Sequence, residues 1–326
     1  MRHVRLALAM LLLPAVCLAA DPDPDVPITG RRPADDAELE YWLRNARVAH
    51  RFSAAETGRA LDLTAAEVDA ASARLGIDAS AGQSPFAGDA LPVLPYPGGR
   101  HPRIGFLEGA IDPQRETKVS VFTPWQPSDH SRADYVVVDV PEAIWSNLGL
   151  TYLAHTHIDT VWTKAGLTLP VLEWDRRDDG SLTIQRELPN GIVFTSRVEP
   201  KANHVAMTLT LTNGTSETLT DLRVQNCVML KAADGFARQD NDNKVAHDPY
   251  MAVRHESADR WILTGWKPNH RTWANAKCPC LHSDPQFPDC APGATSVVRG
   301  WLSFYEGSDI DAEFARIDAL QWWEGD

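Results

Sequence analysis

Three turn dipeptides, Asp179-Gly180, Asn190-Gly191 and Asn213-Gly214, stand between runs that read as strands. Each supplies the positive φ angles of a two-residue turn, which drives the flanking strands into antiparallel pairing. Asp179-Gly180 separates Val171–Asp175 from Leu182–Arg186. Asn190-Gly191 separates that strand from Ile192–Val198, and Asn213-Gly214 follows the alternating Val205–Thr212 and precedes Leu219–Leu230. A parallel βαβ plan needs long crossovers, for which this spacing leaves no room. Further runs at Val119–Phe122, Tyr135–Val140, Trp261–Trp266 and Val297–Tyr305 complete a set of about ten strands over residues 104–305. The expected fold is mainly β, a large antiparallel β-sandwich, with a small N-terminal three-helix segment and a C-terminal helix.

The helical segment spans residues 35–77. Asp35 and Asp36 open a helix carrying Leu39, Trp42, Leu43 and Ala46 at helical spacing. Ser53 with Glu56, and Thr64 with Glu67, fit capping boxes, and Gly76 fits a helix C-terminus. The closing helix is expected to be capped by Ser308 with Asp311 and to bury Ile310, Phe314, Ile317 and Leu320. Residues 21–34 read as a disordered linker, 78–103 as a Pro/Gly-rich connector or wrapping loop, and 104–326 as the sandwich with its C-terminal helix.

Residues 1–20 read as a secretory signal peptide. Arg2 and Arg5 precede the apolar run Leu6–Val16, and cleavage is expected after Ala19 or Ala20. The expected location is periplasmic or extracellular, with no membrane span elsewhere. The net charge of −13 argues against a nucleic-acid partner, and the last helix of the 36–76 segment lacks a basic face. Those helices suit docking to a protein instead.

Pro189-Asn190-Gly191, then Val205–Asn213, then Leu219–Leu230, resemble a stretch of the galactose-mutarotase-like supersandwich. That fold serves aldose epimerases, several glycoside hydrolases and polysaccharide lyases. The resemblance covers residues 190–230 and implies a supersandwich and a sugar-related role. Aldose epimerases carry a catalytic His near the end of the strand matching Val224–Leu230. This chain has Gln225, Asn226 and Cys227 there, so epimerase chemistry is not implied. More broadly the chain resembles exported bacterial proteins to which no activity is assigned.

His155-Thr-His157-Ile-Asp159 is the sharpest local feature. On a strand, positions i, i+2 and i+4 share a face, so both imidazoles and the carboxylate converge. Such a set suits zinc, or a general acid or base. The segment also resembles the His-x-His-x-Asp-His motif of metallo-β-lactamase-fold hydrolases, departing from it where Thr160 stands for the last His. The plainer reading is local hydrogen bonding at a strand end.

Cys227, Cys278, Cys280 and Cys290 remain once Cys17 leaves with the signal. An even number in an exported protein favours disulfides of undetermined pairing, with Cys290 joined to Cys278 or Cys280 and Cys227 to the other. The rival is a zinc site of Cys278, Cys280, His282 and Cys290. Asp240, Asn241, Asp242, Asn243 and Lys244 form an oxygen-rich loop that could hold calcium or rim a cleft. That cleft would be lined by Arg223 and Gln225 on one strand face, with Trp266, His270, Arg271 and Trp273 nearby. The chain has 11 Trp, and indoles facing a cleft stack on sugar rings.

Two functions follow. One is an exported hydrolase or lyase acting on a glycan or glycoside, with His155, His157 and Asp159 as catalytic groups and a metal-dependent variant using the same three. The other is a non-catalytic glycan-binding or scaffold protein.

Overall fold

Val205, Met207, Leu209 and Leu211 are fully buried, and the residues between them are half-exposed. That period of two gives one face to a core and the other to solvent. The computed structural model describes residues 30–79, 88–104, 115–127, 131–155 and 158–324. The signal segment 1–20, residues 21–29 of the expected linker and His157 lie outside the described residues.

Helix α1 (Asp36–Leu43) runs on as a π-helical turn through Arg44–Ala49, and α2 (Ala54–Leu61) and α3 (Ala65–Arg74) follow. Both capping boxes form, Ser53 with Glu56 and Thr64 with Glu67. Then come β1 (Val93–Pro95), β2 (Lys118–Phe122), β3 (Tyr135–Ser146), β4 (Gly149–Leu153) and the short α4 (Val161–Lys164). Next are β5 (Asp175–Arg176), β6 (Leu182–Glu187), β7 (Val193–Pro200), β8 (His204–Thr212) and β9 (Arg223–Met229). The chain closes with β10 (Lys244–His247), β11 (Tyr250–Arg254), β12 (Arg260–Lys267), β13 (Asn269–Asn275), β14 (Cys280–Pro285), β15 (Thr295–Glu306) and α5 (Ile310–Asp318).

The strands make two antiparallel sheets. The seven-stranded sheet runs β1-β2-β3-β9-β14-β13, with β4 on β3. The eight-stranded sheet runs β10-β11-β12-β15-β8-β7-β6-β5. The mainly β class with flanking helices is therefore as the sequence indicates. Between the sheets lies one core, including Val136, Val138, Ile144, Val224 and Val228 from one side and Leu209, Leu211, Ile262, Val298 and Leu302 from the other. Each such side chain contributes about 1.5–3 kcal/mol on leaving water.

Both outer faces are partly covered. Phe314 and Ile317 of α5 pack on Tyr250, Ala252, Trp261, Leu263 and Trp301 of the eight-stranded sheet. Ala46, Ala49 and Phe52 from the helical segment pack on Tyr96, Phe122, Tyr135 and Val137 of the seven-stranded sheet. His50 ties the two together: its Nδ1 donates to the Asn45 carbonyl at 2.9 Å, and its Nε2 accepts from Ser120 Oγ at 2.7 Å. Arg31 pairs with Glu116 at 2.9 Å and with Glu173 at 3.0 Å.

Three expected elements differ. Asn213-Gly214 is not a hairpin, because β8 pairs with β7 and β15 while β9 belongs to the other sheet. It is a crossover, held by the Asn213 amide, which donates to the carbonyls of Glu217 and Cys290, each at 2.8 Å. A Cβ at Gly214 would fall 2.1 Å from the Gly191 carbonyl oxygen, so only glycine lets the two turns touch. The strand expected at Val171–Asp175 shrinks to Asp175–Arg176, since Trp174 turns inward and donates from Nε1 to the Lys118 carbonyl at 3.1 Å. Helix α5 is capped by Asp309, not Ser308, and it ends at Asp318, leaving Leu320 exposed.

Candidate functional site

Strand β9 alternates as its sequence does: Val224 and Val228 enter the inter-sheet core, while Cys227 and Met229 join the cluster on the outer face. Antiparallel pairing of Cys280 with Met229 and Leu281 with Val228 brings β14 alongside. Beyond that point side chains replace the ladder. His282 Nδ1 donates to the Asn226 carbonyl at 2.8 Å, and the Asn226 N–H donates to Asp284 Oδ1 at 3.1 Å. His282 and Asp284 are thus fixed by one residue of the neighbouring strand.

A polar strip crosses this outer face. Asp284 Oδ2 accepts from Arg271 Nε and from Trp273 Nε1, both at 2.7 Å. Arg271 also donates to Gln225 Oε1 at 3.3 Å, and Gln225 Nε2 donates to Glu142 Oε2 at 2.9 Å. Glu142 Oε1 accepts from Arg103 at 2.7 Å. His155 Nε2 lies 3.4 Å from both Glu142 and Asp139, and Lys118 Nζ donates to Asp139 at 2.7 Å. Burial opposes ionisation of Glu142, but the Arg103 guanidinium and His155 hold its carboxyl well below the ordinary range. Burial likewise opposes the Asp139 charge, and Lys118 and His155 lower it.

Beside the strip sits a thiol–imidazole group. The donor atoms of Cys227, Cys280 and His282, all buried, lie within 4.8 Å of one another. Cys280 Sγ is 3.3 Å from His282 Nε2. Burial by itself would lower the His282 pKa, yet the Cys227 thiol, Glu142 and Asp284 push it up to about 9. Burial drives the Cys227 thiol well above its ordinary value. A hydrogen bond with Cys227 favours ionisation of Cys280, but its bond with Cys278 and burial outweigh that and push it up to about 12.

The expected substrate-contacting residues divide cleanly. Gln225, Arg271 and Trp273 meet on the strip, with Arg223 at its β9 end, and half of the Arg271 side chain stays exposed. His270 is exposed at the β13 irregularity between Asn269 and Arg271. The 240–244 loop borders β13, where Asn241 Nδ2 donates to the Ala274 carbonyl at 3.3 Å. Within it, Arg238 pairs with Asp240 at 2.8 Å, and Lys244 Nζ donates to Asn241 Oδ1 at 3.1 Å and to the Asp240 carbonyl. Trp266 is a correction: it is 1% exposed, packed over Gly300 on β15, and out of reach of a ligand.

His155 and Asp159 sit in different settings. Strand β4 ends at Leu153, so the two-residue period stops before His155. His155 is buried against Asp139 and Glu142, while Asp159 is exposed and accepts from Thr163 Oγ1 at 3.2 Å. Thr160 caps α4 by accepting from the Thr163 N–H. Of the expected set of His155, His157 and Asp159, His157 lies outside the described residues, and His155 and Asp159 line the same cleft. The alternative grouping of His155 with Asp139 and Glu142 already holds Lys118 and Arg103, which neutralise both carboxylates.

The expected disulfides are also absent: all four cysteines are free thiols. Cys290 packs in the inter-sheet core and donates to the Ala294 carbonyl, whereas Cys227, Cys278 and Cys280 share the outer cluster. The sheet itself separates Cys290 from the others, which removes it from the zinc set read from sequence.

Arg103, Asp139 and Glu142, which carry the strip with Asp284, were not singled out from sequence. The available signal was a charge inside an apolar strand, Asp139 within Val136–Val140. A separate cleft of 450 Å³ opens beside His155, lined among others by Tyr152, Asp159, Trp162, Arg31 and Arg186. Half of its other lining residues are Leu, Ile or Val, including the exposed Ile158, Leu167 and Val171.

No family model and no curated protein matches the chain. Among solved structures it is similar to a provisionally assigned kojibiose phosphorylase from the human microbiome, with TM-score 0.35, 6% identity, and 58% of this chain and 26% of that one covered. It is similar to a polysaccharide lyase, with TM-score 0.32, 12% identity, and coverage of 67% and 33%. It is also similar to a heparan sulfate lyase from Pedobacter heparinus, with TM-score 0.35, 10% identity, and coverage of 88% and 45%. The chain spans less than half the length of each of these three. At such scores none confirms the galactose-mutarotase-like label.

Proposed function

We propose that the chain is an exported, carbohydrate-active protein that holds a glycan along the strip running from Arg223 through Gln225 and Arg271 to Trp273. The carrying observation is the locked indole of Trp273. Its N–H is anchored on Asp284, one face is backed by His282, and it remains half-exposed. A preset aromatic plane flanked by an amide and a guanidinium offers what a sugar ring needs, an apolar platform with hydroxyl partners at its edge. The 240–244 loop forms the rim.

A second reading, turnover by a hydrolase or lyase, is favoured by His155 opening on the 450 Å³ cleft. A ring fixed by Asp139 and Glu142 is suited to proton transfer. The supersandwich assignment belongs with this proposal and adds the sugar-related expectation. A glycan array on the full chain, followed by calorimetry, tests the binding reading. Saturable binding lost in Arg271→Ala supports it, and absence of any glycan ligand overturns it. Product formation that His155→Ala abolishes, with binding retained, selects the enzymatic reading. Fractionation of cells expressing the full chain tests export, which retention in the cytoplasm would refute.

A further inference from the structure

We infer that Cys227, Cys280 and His282, with Cys278 as the fourth donor, form a structural zinc centre on the outer face of the seven-stranded sheet. The inference stands independently of the glycan reading.

Strand geometry assembles the set. Cys280 and His282 are two residues apart on β14 and share a face. The Cys280–Met229 pairing, continued antiparallel, places Cys227 of β9 opposite His282. The three donor atoms lie within 4.8 Å of one another, and all three residues are buried. Cys278 hydrogen-bonds to Cys280 from the turn before β14. Zn–S and Zn–N bonds of ~2.3 and ~2.0 Å put sulfur and nitrogen ligands roughly 3.6 Å apart on a tetrahedral ion. The Cys280 Sγ to His282 Nε2 distance of 3.3 Å needs only a small adjustment to reach that.

The surroundings match a ligated imidazole. A metal-bound His characteristically donates its other ring N–H to a fixed acceptor. His282 Nδ1 donates to the Asn226 carbonyl at 2.8 Å, which turns Nε2 toward the thiols. Trp273 stacks on the ring and fixes its plane. Three thiolates and a dication leave one surplus negative charge on the centre. The Asp139–Glu142–His155 group is the opposite case, since Lys118 and Arg103 already balance its two carboxylates. Soft sulfur donors with one imidazole select zinc over calcium or magnesium. Cys278, drawn in as the fourth donor, would close the coordination shell, as in structural and not catalytic sites.

The test uses the full chain, reduced, stripped with chelator and titrated with Zn²⁺ and then Co²⁺. The expected result is one zinc per chain and a Co²⁺ adduct with intense near-ultraviolet thiolate-to-metal absorption. Cys227→Ser and His282→Gln should weaken zinc binding more than about 100-fold, beyond what loss of an outer partner costs. Cys290→Ser should leave stoichiometry and spectrum unchanged. No zinc uptake by a chain whose thiols titrate fully overturns the inference. So does a Co²⁺ adduct without the thiolate band, or a disulfide between any two of Cys227, Cys278 and Cys280 in protein purified without added oxidant. The cobalt spectrum of the unmodified chain decides the matter even where a variant fails to fold.

Discussion

Trp273 lies flat on His282, with ring centroids 3.8 Å apart and planes 8° from parallel. The two residues face each other across the β13–β14 pairing, where Trp273 is the Cα partner of His282. The stack joins the exposed strip to the buried thiol–imidazole group. What touches the indole from outside is therefore separated from Cys280 by the indole and the imidazole.

Replacing Trp273 with Ala is expected to weaken glycan binding by about tenfold or more, since an aromatic contact of this kind is worth ~0.5–1.5 kcal/mol beyond its buried area. Trp273→Phe should lie between, keeping the platform but losing the N–H bond to Asp284. Calorimetry against the best array ligand measures both. Equal affinity in wild type and Trp273→Ala refutes the strip as the binding surface.

Lys118 and Asp139 form a fully buried pair at 2.7 Å. Lys118→Met leaves a buried carboxylate short of its main partner and is expected to cost about 3–5 kcal/mol in urea unfolding. The double variant Lys118→Met/Asp139→Leu should recover much of that loss, because both charges leave the interior together. A double variant as unstable as the single would contradict this account.

Burial lowers the His50 pKa from 6.5 to about 3. A base depressed in the folded state contributes stability that is fully present above pH 6.5 and is lost as pH falls toward 3. At ~1.4 kcal/mol per pH unit the loss over that window amounts to a few kcal/mol. Burial raises Asp134 to about 6, which acts in the opposite sense between about pH 4 and 6, so the difference between wild type and variant is the informative quantity. Urea unfolding at several pH values should show a flatter acid limb in His50→Gln. Parallel limbs in the two proteins would remove His50 from the account.

Gly300→Ala is expected to destabilise by about 1–3 kcal/mol through overpacking. The new methyl would sit 2.4 Å from Trp266 Cε2, a ring buried in the core and unable to retreat. Thermal unfolding measures the effect, and an unchanged Tm would show that the strand can shift to make room.

The strands were legible because their cause is local. Val205–Thr212 alternates in sequence and is buried in alternation, and β9 splits its two faces as its residue types indicate. Asn190-Gly191 joins β6 and β7 in a turn where Gly191, not Asn190, takes the positive φ. Asn213-Gly214 forms no hairpin, since the same dipeptide serves a hairpin or a crossover, and the choice rests on which sheet accepts the next strand. For His155-Thr-His157-Ile-Asp159 the limit is related: the i, i+2 argument holds only inside a strand, and β4 ends at Leu153.

The sequence by itself determined the antiparallel β class, the two capping boxes and the polar and apolar faces of β9, because periodicity and capping act between residues a few positions apart. Only the tertiary structure decided that Cys227 stands with Cys280 and His282 while Cys290 lies in the inter-sheet core. Only it joined Arg103, Glu142, Gln225, Arg271 and Asp284 into one strip. Those partners come from distant segments, and their meeting is fixed by sheet order and by the cost of burying a charge without its counter-ion.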